Sequence, residues 1–234
     1  MARFWIMRWA LREPYRQIVI PYPCVNLAVE RGRSGVFGVV SRSISRVLQG
    51  EGLVFGVQFL PGGFRAFLGE SIAGLTDRSI PIGEVFDEAG YEWEAAILSQ
   101  DDDAAMIAYA ESRLRAKSPE RHADADAVLR IVNAIADDRE ITKVDAVVRF
   151  AGLSKRTLER LFREYVGVGP KWVIQRYRLH EAAEYAATGE PRDWADLAAR
   201  LGYADQAHLI RDFKRFVGQS PTRYAATAGA QGDL

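Results

Sequence analysis

The chain has 234 residues, 48% of them hydrophobic, which is enough for two modest domains that each bury a core. Its single cysteine, Cys24, excludes a disulfide framework and a cysteine-built zinc site, and so favours a reducing compartment. The formal net charge is zero, but residues 139–225 hold 16 Lys/Arg against 11 Asp/Glu, and the acidic excess lies in the remainder. A basic C-terminal part beside an acidic N-terminal part is typical of a DNA-binding module joined to another domain.

The N-terminus does not resemble a secretion signal. Arg8 and Arg12 interrupt the apolar run before it reaches the length of a signal-peptide core. No stretch approaches the roughly 20 apolar residues of a membrane helix. We therefore expect a cytoplasmic protein without a membrane partner.

The first part of the chain predicts short strands separated by Gly, Pro and Ser. Their pattern predicts a small antiparallel sheet or barrel, with strands at Gln17–Ile20, Val25–Glu30, Val36–Val40, Ser43–Leu48 and Leu53–Phe59. Helical patterns follow at Phe64–Leu68, Gly83–Phe86, Tyr91–Leu98 and Ala104–Ala116. Lys117–Glu120 is the candidate linker, and the chain beyond it is predicted to be helical.

Asp101, Asp102 and Asp103 form an acidic run that could be imagined as a metal site. The run lacks the spacing of an oxygen-ligand loop, and acidic residues are favoured where a helix begins. We expect it to open the helix at Ala104.

The C-terminal part contains an internal repeat. Residues 147–170 match residues 197–221, with Ser154 and Asp205 at equivalent positions. The offset is 50 residues before the turn and 51 after it, so the one-residue difference falls in the turn, where insertions are tolerated.

Each copy predicts a helix-turn-helix. A short apolar helix ends at Gly152 or Gly202, and Ser154 or Asp205 then caps the next helix. Apolar residues four apart face inward in that helix, which leaves a polar outer face. The two outer faces hold Lys155, Arg156, Glu159, Arg160 and Arg163 in the first copy, and Gln206, Ala207, His208, Arg211 and Arg215 in the second.

A long amphipathic stretch, Pro170–Thr188, joins the two copies. As a helix it spans about 27 Å, which could hold two recognition helices near the roughly 34 Å between successive major grooves on one face of DNA. A plain helical hairpin would explain one copy alone, whereas two copies with Arg-bearing outer faces favour a nucleic-acid interface.

The segment from about Ala125 to Ala226 resembles the DNA-binding domain of AraC/XylS-type transcription regulators. The resemblance is carried by residues 152–162 (GLSKRTLERLF), 169–179 (GPKWVIQRYRL) and 201–221 (LGYADQAHLIRDFKRFVGQSP). It implies that the first recognition helix reads bases with Arg156, Glu159 and Arg160. The second would use Gln206, Ala207, His208 and Arg211. Long polar side chains are expected at positions that contact bases, and two residues depart from this expectation. Ala207 is short, and Glu159 repels phosphate. Glu can still accept from cytosine N4, and Ala can touch a thymine methyl.

The N-terminal part is more loosely similar to the small β-rich sensor domain that precedes this module in some such regulators. The similarity rests on residues 21–27 (PYPCVNL), 56–64 (GVQFLPGGF) and 75–78 (LTDR). Because strand-like sequence begins almost at residue 4, a leading element of that domain is expected to be absent.

The sequence thus predicts an α+β protein. Residues 1–118 would form a β-rich, small barrel or cupin-like sensor or dimerisation domain with short helices. Residues 122–226 would form an all-α domain of two helix-turn-helix subdomains joined by a linker helix, and 227–234 a disordered tail. The expected partner is double-stranded DNA; a small-molecule effector, RNA polymerase and a monomer or homodimer are compatible with the resemblance. No cofactor is expected.

Two other classes of function compete with DNA binding. An enzyme is disfavoured because His122, His180 and His208 lie far apart in sequence, Cys24 has no nearby histidine, and no hydrolase, zinc-protease or phosphate-loop motif occurs. Pro61–Gly63 is a turn rather than a dinucleotide-binding motif. A helical protein-interaction adaptor without DNA binding remains the alternative.

Overall fold

The computed structural model describes residues 2–87, 92–117, 119–120, 122–188 and 193–228. The N-terminal part is built on an antiparallel sheet and the C-terminal part is helical, so the α+β prediction is confirmed. Among the described helices, none combines the length and apolar composition needed to cross a membrane.

The front half holds a five-stranded sheet in the order β1-β4-β2-β3-β5, with β1 and β5 at its edges. The strands are β1 (Ala2–Val19), β2 (Asn26–Val29), β3 (Gly35–Phe37), β4 (Ile44–Phe59) and β5 (Ser79–Ile80). All the pairings are antiparallel, and β1 and β4 form a long hairpin that extends well past the end of β2.

The hairpin differs from the predicted pattern of short strands. The predicted strands 43–48 and 53–59 are one strand, β4, and β1 begins at Ala2 rather than at Gln17. The glycines that suggested breaks are positions of close packing instead. A Cβ atom at Gly52 would lie 2.0 Å from the Trp9 ring, and one at Gly56 would lie 1.9 Å from the Trp5 ring. Two tryptophans of β1 thus cover two glycines of β4 across the hairpin.

Short helices cover the sheet and close the first core. They are α1 (Arg65–Leu68), a 3-10 helix (Ile72–Leu75), α2 (Gly83–Phe86), α3 (Trp93–Leu98) and α4 (Asp103–Ala116). Trp93 and Phe55 are fully buried between sheet and helices. The Asp102 carboxylate accepts from the backbone N–H of Ala105 and caps α4, which confirms the structural interpretation of the acidic run. Cys24 is buried.

The C-terminal half is a series of helices joined by short turns. They are α5 (Ala123–Asp137), α6 (Val144–Ala151), α7 (Lys155–Tyr165), α8 (Pro170–Ala187), α9 (Trp194–Arg200), α10 (Gln206–Val217) and α11 (Pro221–Ala228). The last helix therefore runs two residues into the segment 227–234 predicted as a tail, and the rest of that segment lies outside the described residues.

The helical half has two cores, and the front half contributes to both. Val39, which follows β3, is buried in the core formed by α5, α6, α7 and the first turns of α8. Ile18 and Ile20, at the end of β1, pack against the core formed by α8, α9 and α10. The two halves are thus packed together through apolar side chains at both helical units.

Polar and aromatic contacts add to this interface. Arg65 of α1 forms an ion pair with Glu164 of α7 at 2.9 Å, and the Thr76 hydroxyl donates to the Gly167 carbonyl at 2.8 Å. The Tyr22 ring stacks on the His180 imidazole of α8 with ring centroids 4.0 Å apart. The front half therefore contacts both the end of α7 and the middle of α8.

Candidate nucleic-acid interface

The first helix-turn-helix is formed by α6 and α7. Helix α6 ends at Gly152, whose φ of 64° lies in the left-handed region that only glycine adopts readily. The chain reverses there, and the Ser154 hydroxyl accepts from the backbone N–H of Thr157 at 3.1 Å. This bond satisfies one of the free donors at the start of α7, as predicted for the cap.

The outer face of α7 is basic and open to solvent. Leu158, Leu161, Phe162 and Tyr165 are buried on the opposite face. The five predicted contact residues lie on the exposed side: Lys155, Arg156, Glu159, Arg160 and Arg163. Four cations and one carboxylate therefore project from a single surface of this helix.

The second helix-turn-helix repeats the arrangement with α9 and α10. Gly202 has a φ of 76° at the turn, and the Asp205 carboxylate accepts from the backbone N–H of His208 at 2.7 Å. Leu209, Phe213 and Phe216 are buried on the inner face of α10. The structure thus confirms both predicted turns and both predicted caps.

The outer face of α10 is less charged near its start. Gln206, Ala207, Arg211 and Arg215 are exposed there, as predicted. Lys214 is also exposed on this face and was missed, although its spacing of three residues from Arg211 signals the same side of a helix. The cations of this face lie from Arg211, in the middle of the helix, towards its end.

His208 occupies a different position from its neighbours. Its ring packs edge-on against Tyr203, with centroids 5.1 Å apart, and its Nε2 lies 3.8 Å from the Asp212 carboxylate. It also lines a cleft of about 280 Å³ between the two helix-turn-helix units, together with Lys143 and Lys171. The side chain is therefore half-buried between the units rather than fully exposed.

The linker helix α8 is held by two buried arginines that the sequence pattern did not reveal. Arg178 is 1% exposed; its guanidinium donates to the carbonyls of Ile135 and Asp138 at the end of α5 and forms an ion pair with Glu181. Arg178 thus ties the end of α5 to the linker helix.

The second buried arginine joins three parts of the molecule. Arg176 is also 1% exposed, and its guanidinium lies between the rings of Trp172, at 4.4 Å, and Phe216 of α10, at 4.9 Å. It donates to the Ser41 carbonyl of the front half at 3.2 Å. Burial lowers the pKa of Arg176 to about 10. Burying a charged side chain is costly unless partners stabilise it. The burial of Arg176 therefore becomes understandable only once these contacts are known.

The front half contacts α7 without covering its outer face. The Ser71 hydroxyl donates to the Arg163 carbonyl at 3.4 Å, and Gly167 lies so close to the 3-10 helix that a Cβ atom would be 2.7 Å from the Thr76 hydroxyl. These contacts involve the end of the helix. The basic surfaces of α7 and α10 therefore remain accessible to a ligand in this arrangement.

The residues considered for catalysis or metal binding are not brought together. His122 precedes α5, His180 packs against Tyr22, and His208 packs against Tyr203. Among the described residues, no group of three or more His, Cys, Asp or Glu side chains could hold a metal ion.

Comparisons with known proteins find a matching family model for a segment in each half of the chain. A family model described as a helix-turn-helix domain matches residues 147–227, and one described as a domain of unknown function (DUF6597) matches residues 1–81. The HTH-type transcriptional activator AarP of Providencia stuartii is 30% identical over 91 residues, which are 39% of this chain and 67% of that protein. The HTH-type transcriptional regulator GlxA of Rhizobium meliloti is 33% identical over 85 residues, 36% of this chain, and the match spans only 26% of GlxA.

Solved structures show similarity over different lengths. An AraC-type transcriptional regulator from Chromobacterium violaceum, at 20% identity and a TM-score of 0.42, covers 46% of this chain, and 96% of that chain is covered. ToxT from Vibrio cholerae, at 11% identity and a TM-score of 0.46, covers 96% of this chain, and 98% of that chain is covered. The named relatives are transcription regulators rather than enzymes.

Proposed function

Since the chain belongs to the family of AraC-type helix-turn-helix transcription regulators, we propose that it binds specific DNA sequences and regulates transcription by placing α7 and α10 in successive major grooves. The observation that carries this proposal is the duplication: two capped helices, each with an exposed cationic face, are joined by one linker helix. A helical hairpin with only a structural role would not require an exposed cationic face on each of two helices.

Residue roles follow from side-chain chemistry. Arg156, Arg160 and Arg211 can donate two hydrogen bonds to the guanine edge, and Glu159 can accept from cytosine N4. Lys155, Arg163, Lys214 and Arg215 are suited to backbone phosphates. Gln206, Ala207 and His208 would complete the reading surface of α10, with Ala207 against a thymine methyl.

The rigid linker supports simultaneous binding of both helices. The 18 residues of α8 span about 27 Å, close to the roughly 34 Å between successive major-groove faces. Buried Arg176 joins this helix to Ser41 of the front half and to Phe216 of α10, and buried Arg178 joins it to the end of α5. A fixed spacing reduces the entropy lost on binding two grooves at once.

Further partners belong to the same proposal. We propose that residues 122–226 form the DNA-binding unit and that residues 1–118 form a sensor or dimerisation unit that takes a small-molecule effector. The relative AarP is named an activator, which favours RNA polymerase as a protein partner of this chain. Monomer and homodimer differ in the number of DNA motifs they occupy.

Selection of bound duplexes from a random pool, followed by sequencing, tests the proposal. We expect a motif with two short elements about one helical turn, roughly 10 base pairs, apart. A homodimer would give two copies of that motif and a monomer one. Affinity for the selected duplex should fall steeply with salt, because Lys/Arg–phosphate contacts release counterions. Duplex binding that is absent, or that does not respond to salt, would favour the protein-interaction adaptor instead.

A further inference from the structure

The loop that joins β3 to β4 contacts both helix-turn-helix units. Val39, near its start, is buried in the core of the first unit. The Ser41 carbonyl accepts from Arg176 of the linker helix at 3.2 Å. The Ser43 hydroxyl lies 3.9 Å from the position that a Cβ atom would take at Gly218, where α10 ends. One short loop of the front half therefore reaches the first unit, the linker helix and the second recognition helix.

The turn after the 3-10 helix holds this loop in place. The backbone N–H of Asp77 donates to the Val39 carbonyl at 3.0 Å, and the Asp77 carboxylate accepts from the backbone N–H of Ser41 at 2.7 Å. A Cβ atom at Gly38 would lie only 1.9 Å from the Leu75 carbonyl oxygen. Loop and turn are thus packed backbone against backbone, with no room for a side chain between them.

Asp77 adopts a backbone conformation that most residues avoid. Its φ of 57° lies in the left-handed region, and Asp87 is the other non-glycine residue in the described part of the chain with a positive φ. Such a conformation persists where surrounding contacts compensate for it, and it is found mostly where a side chain must be held in one place. The two hydrogen bonds from Asp77 to the loop are contacts of this kind.

The residue before Asp77 contacts the end of the first recognition helix. The Thr76 hydroxyl donates to the Gly167 carbonyl at 2.8 Å, and Gly167, with a φ of 94°, has no space for a Cβ atom beside Thr76. Thr76, Asp77 and residues 38–43 therefore form a brace between the ends of α7 and α10. This brace runs through the front half, beside the linker helix.

We propose that the brace positions α10 relative to α7 and thereby restricts DNA binding to sites with one spacing between the two motif elements. The proposal rests on the proposed function. Two recognition helices joined by the linker helix alone can still move relative to each other, whereas a second connection removes that freedom. A preformed arrangement loses less entropy when both helices bind, and it excludes sites whose second groove is displaced. Asp77 and Arg176 act through the recognition helices and are positioning residues.

Distances between spin labels in the full chain test the positioning step without DNA. The labels are attached through Glu159→Cys and Gln206→Cys, two exposed positions on α7 and α10. Cys24 is buried, and burial raises the pKa of its thiol to about 12, so it does not take a label. We expect one narrow distance distribution. Asp77→Gly, which tolerates the positive φ but removes the carboxylate, should broaden that distribution at least about twofold.

Three further variants separate the brace from other effects of substitution. Asp77→Asn keeps an acceptor oxygen for the Ser41 N–H and should keep the narrow distribution. Asp87→Gly is the matched control, because Asp87 has a φ of 59° and its carboxylate pairs with Lys117. It should also leave the distribution unchanged. Arg176→Met breaks the contact on the other side of the loop and should broaden the distribution, which keeps the test decisive if Asp77→Gly does not fold.

Duplexes of altered spacing test the consequence for recognition. One base pair inserted between the two elements of the selected motif moves the second by about 3.4 Å and turns it by roughly 35° around the DNA axis. We expect the wild type to bind this duplex at least about thirtyfold more weakly than the selected one. Asp77→Gly and Arg176→Met should reduce the difference to about threefold or less, and Asp77→Asn and Asp87→Gly should not. A merely destabilising substitution would weaken binding to both duplexes by the same factor.

The outcomes distinguish the two steps of the proposal. An unchanged distance distribution in Asp77→Gly and Arg176→Met overturns the brace, and so does equal broadening in Asp87→Gly. A broadened distribution with undiminished discrimination between spacings overturns the restriction on DNA sites alone. If the chain binds no duplex, the proposed function fails, while the label distances still decide whether the brace positions α10.

Discussion

Single side chains distinguish the two recognition helices more than their backbones do. Both helices begin at a capped turn after a left-handed glycine. The outer face of α7 has cations along its whole length, whereas α10 begins with Gln206, Ala207 and a half-buried His208. We therefore expect α7 to contribute more of the electrostatic affinity and α10 to tolerate more sequence variation in its half of the motif.

Arg160 and Arg211 occupy equivalent outer-face positions and are predicted to read bases. Arg160→Ala and Arg211→Ala should each cost roughly 1–3 kcal/mol at the selected site and relax the preference at one position of the motif. The measurement is quantitative binding to the selected duplex and to single-base variants of it.

Arg115→Ala serves as the control, because Arg115 is an exposed arginine of α4, far in sequence from both recognition helices. It should leave affinity and preference unchanged. If Arg160→Ala and Arg211→Ala lowered affinity by the same factor on every sequence, these arginines would be phosphate contacts and not base readers.

At the scale of elements, the linker helix depends on its buried arginine. Replacing Arg178 with Met removes the donor for two carbonyls at the end of α5 and leaves Glu181 with Arg139 as its remaining described partner. We expect Arg178→Met to lower the free energy of unfolding by about 3 kcal/mol.

Urea unfolding of Arg178→Met beside Arg200→Met measures this effect. Arg200 forms an exposed pair with Asp196 on α9, so its loss should cost less than about 1 kcal/mol. Equal losses in the two variants would show that the carbonyl contacts of Arg178 add no stability.

The helix-turn-helix elements could be predicted from sequence because their signals are local. A glycine, a capping residue and apolar residues four apart all act within one or two turns of helix, and Gly152, Ser154 and Leu158 have the predicted roles. The strands were harder to predict. The continuity of β4 through Gly52 depends on Trp9 from the opposite strand, and the two-residue β5 depends on its pairing with β3.

In the candidate site, too, features set by local sequence were predictable and features set by distant contacts were not. The outer faces of α7 and α10 are set by helical spacing and were predictable, apart from Lys214. The buried Arg176 and Arg178 were not, because a charged residue in a helical pattern indicates a solvent face until its acceptors are known. Those acceptors come from Ser41, Ile135 and Asp138, which are distant in sequence.

At the scale of the whole molecule, His180 makes the contact between the halves sensitive to pH. Burial, reinforced by the charge of Arg176, lowers the pKa of His180 from 6.5 to about 4. Between these values the unfolded chain binds a proton that the folded chain does not. Stability from the neutral imidazole is therefore complete above pH 6.5 and is lost as the pH falls towards 4, by up to about 1.4 kcal/mol per pH unit.

Denaturant unfolding of the wild type and of His180→Gln at a series of pH values tests this prediction. Acidic groups elsewhere titrate in both proteins, so the difference between the two profiles isolates the imidazole. That difference should change across pH 4 to 6.5 and be constant above it. Parallel profiles throughout would mean that His180 is hydrated in solution.

Val39, Ile18 and Ile20 complete the cores of the two helical units from outside the helical segment. The recognition module of this chain is consequently not interchangeable as a cassette. A chimera that joins residues 122–226 to a foreign front domain would expose the surfaces that these three side chains cover, and Arg176 would lose its Ser41 acceptor. A chimera that keeps these cores intact must therefore include the end of the hairpin and the loop after β3 together with the helices.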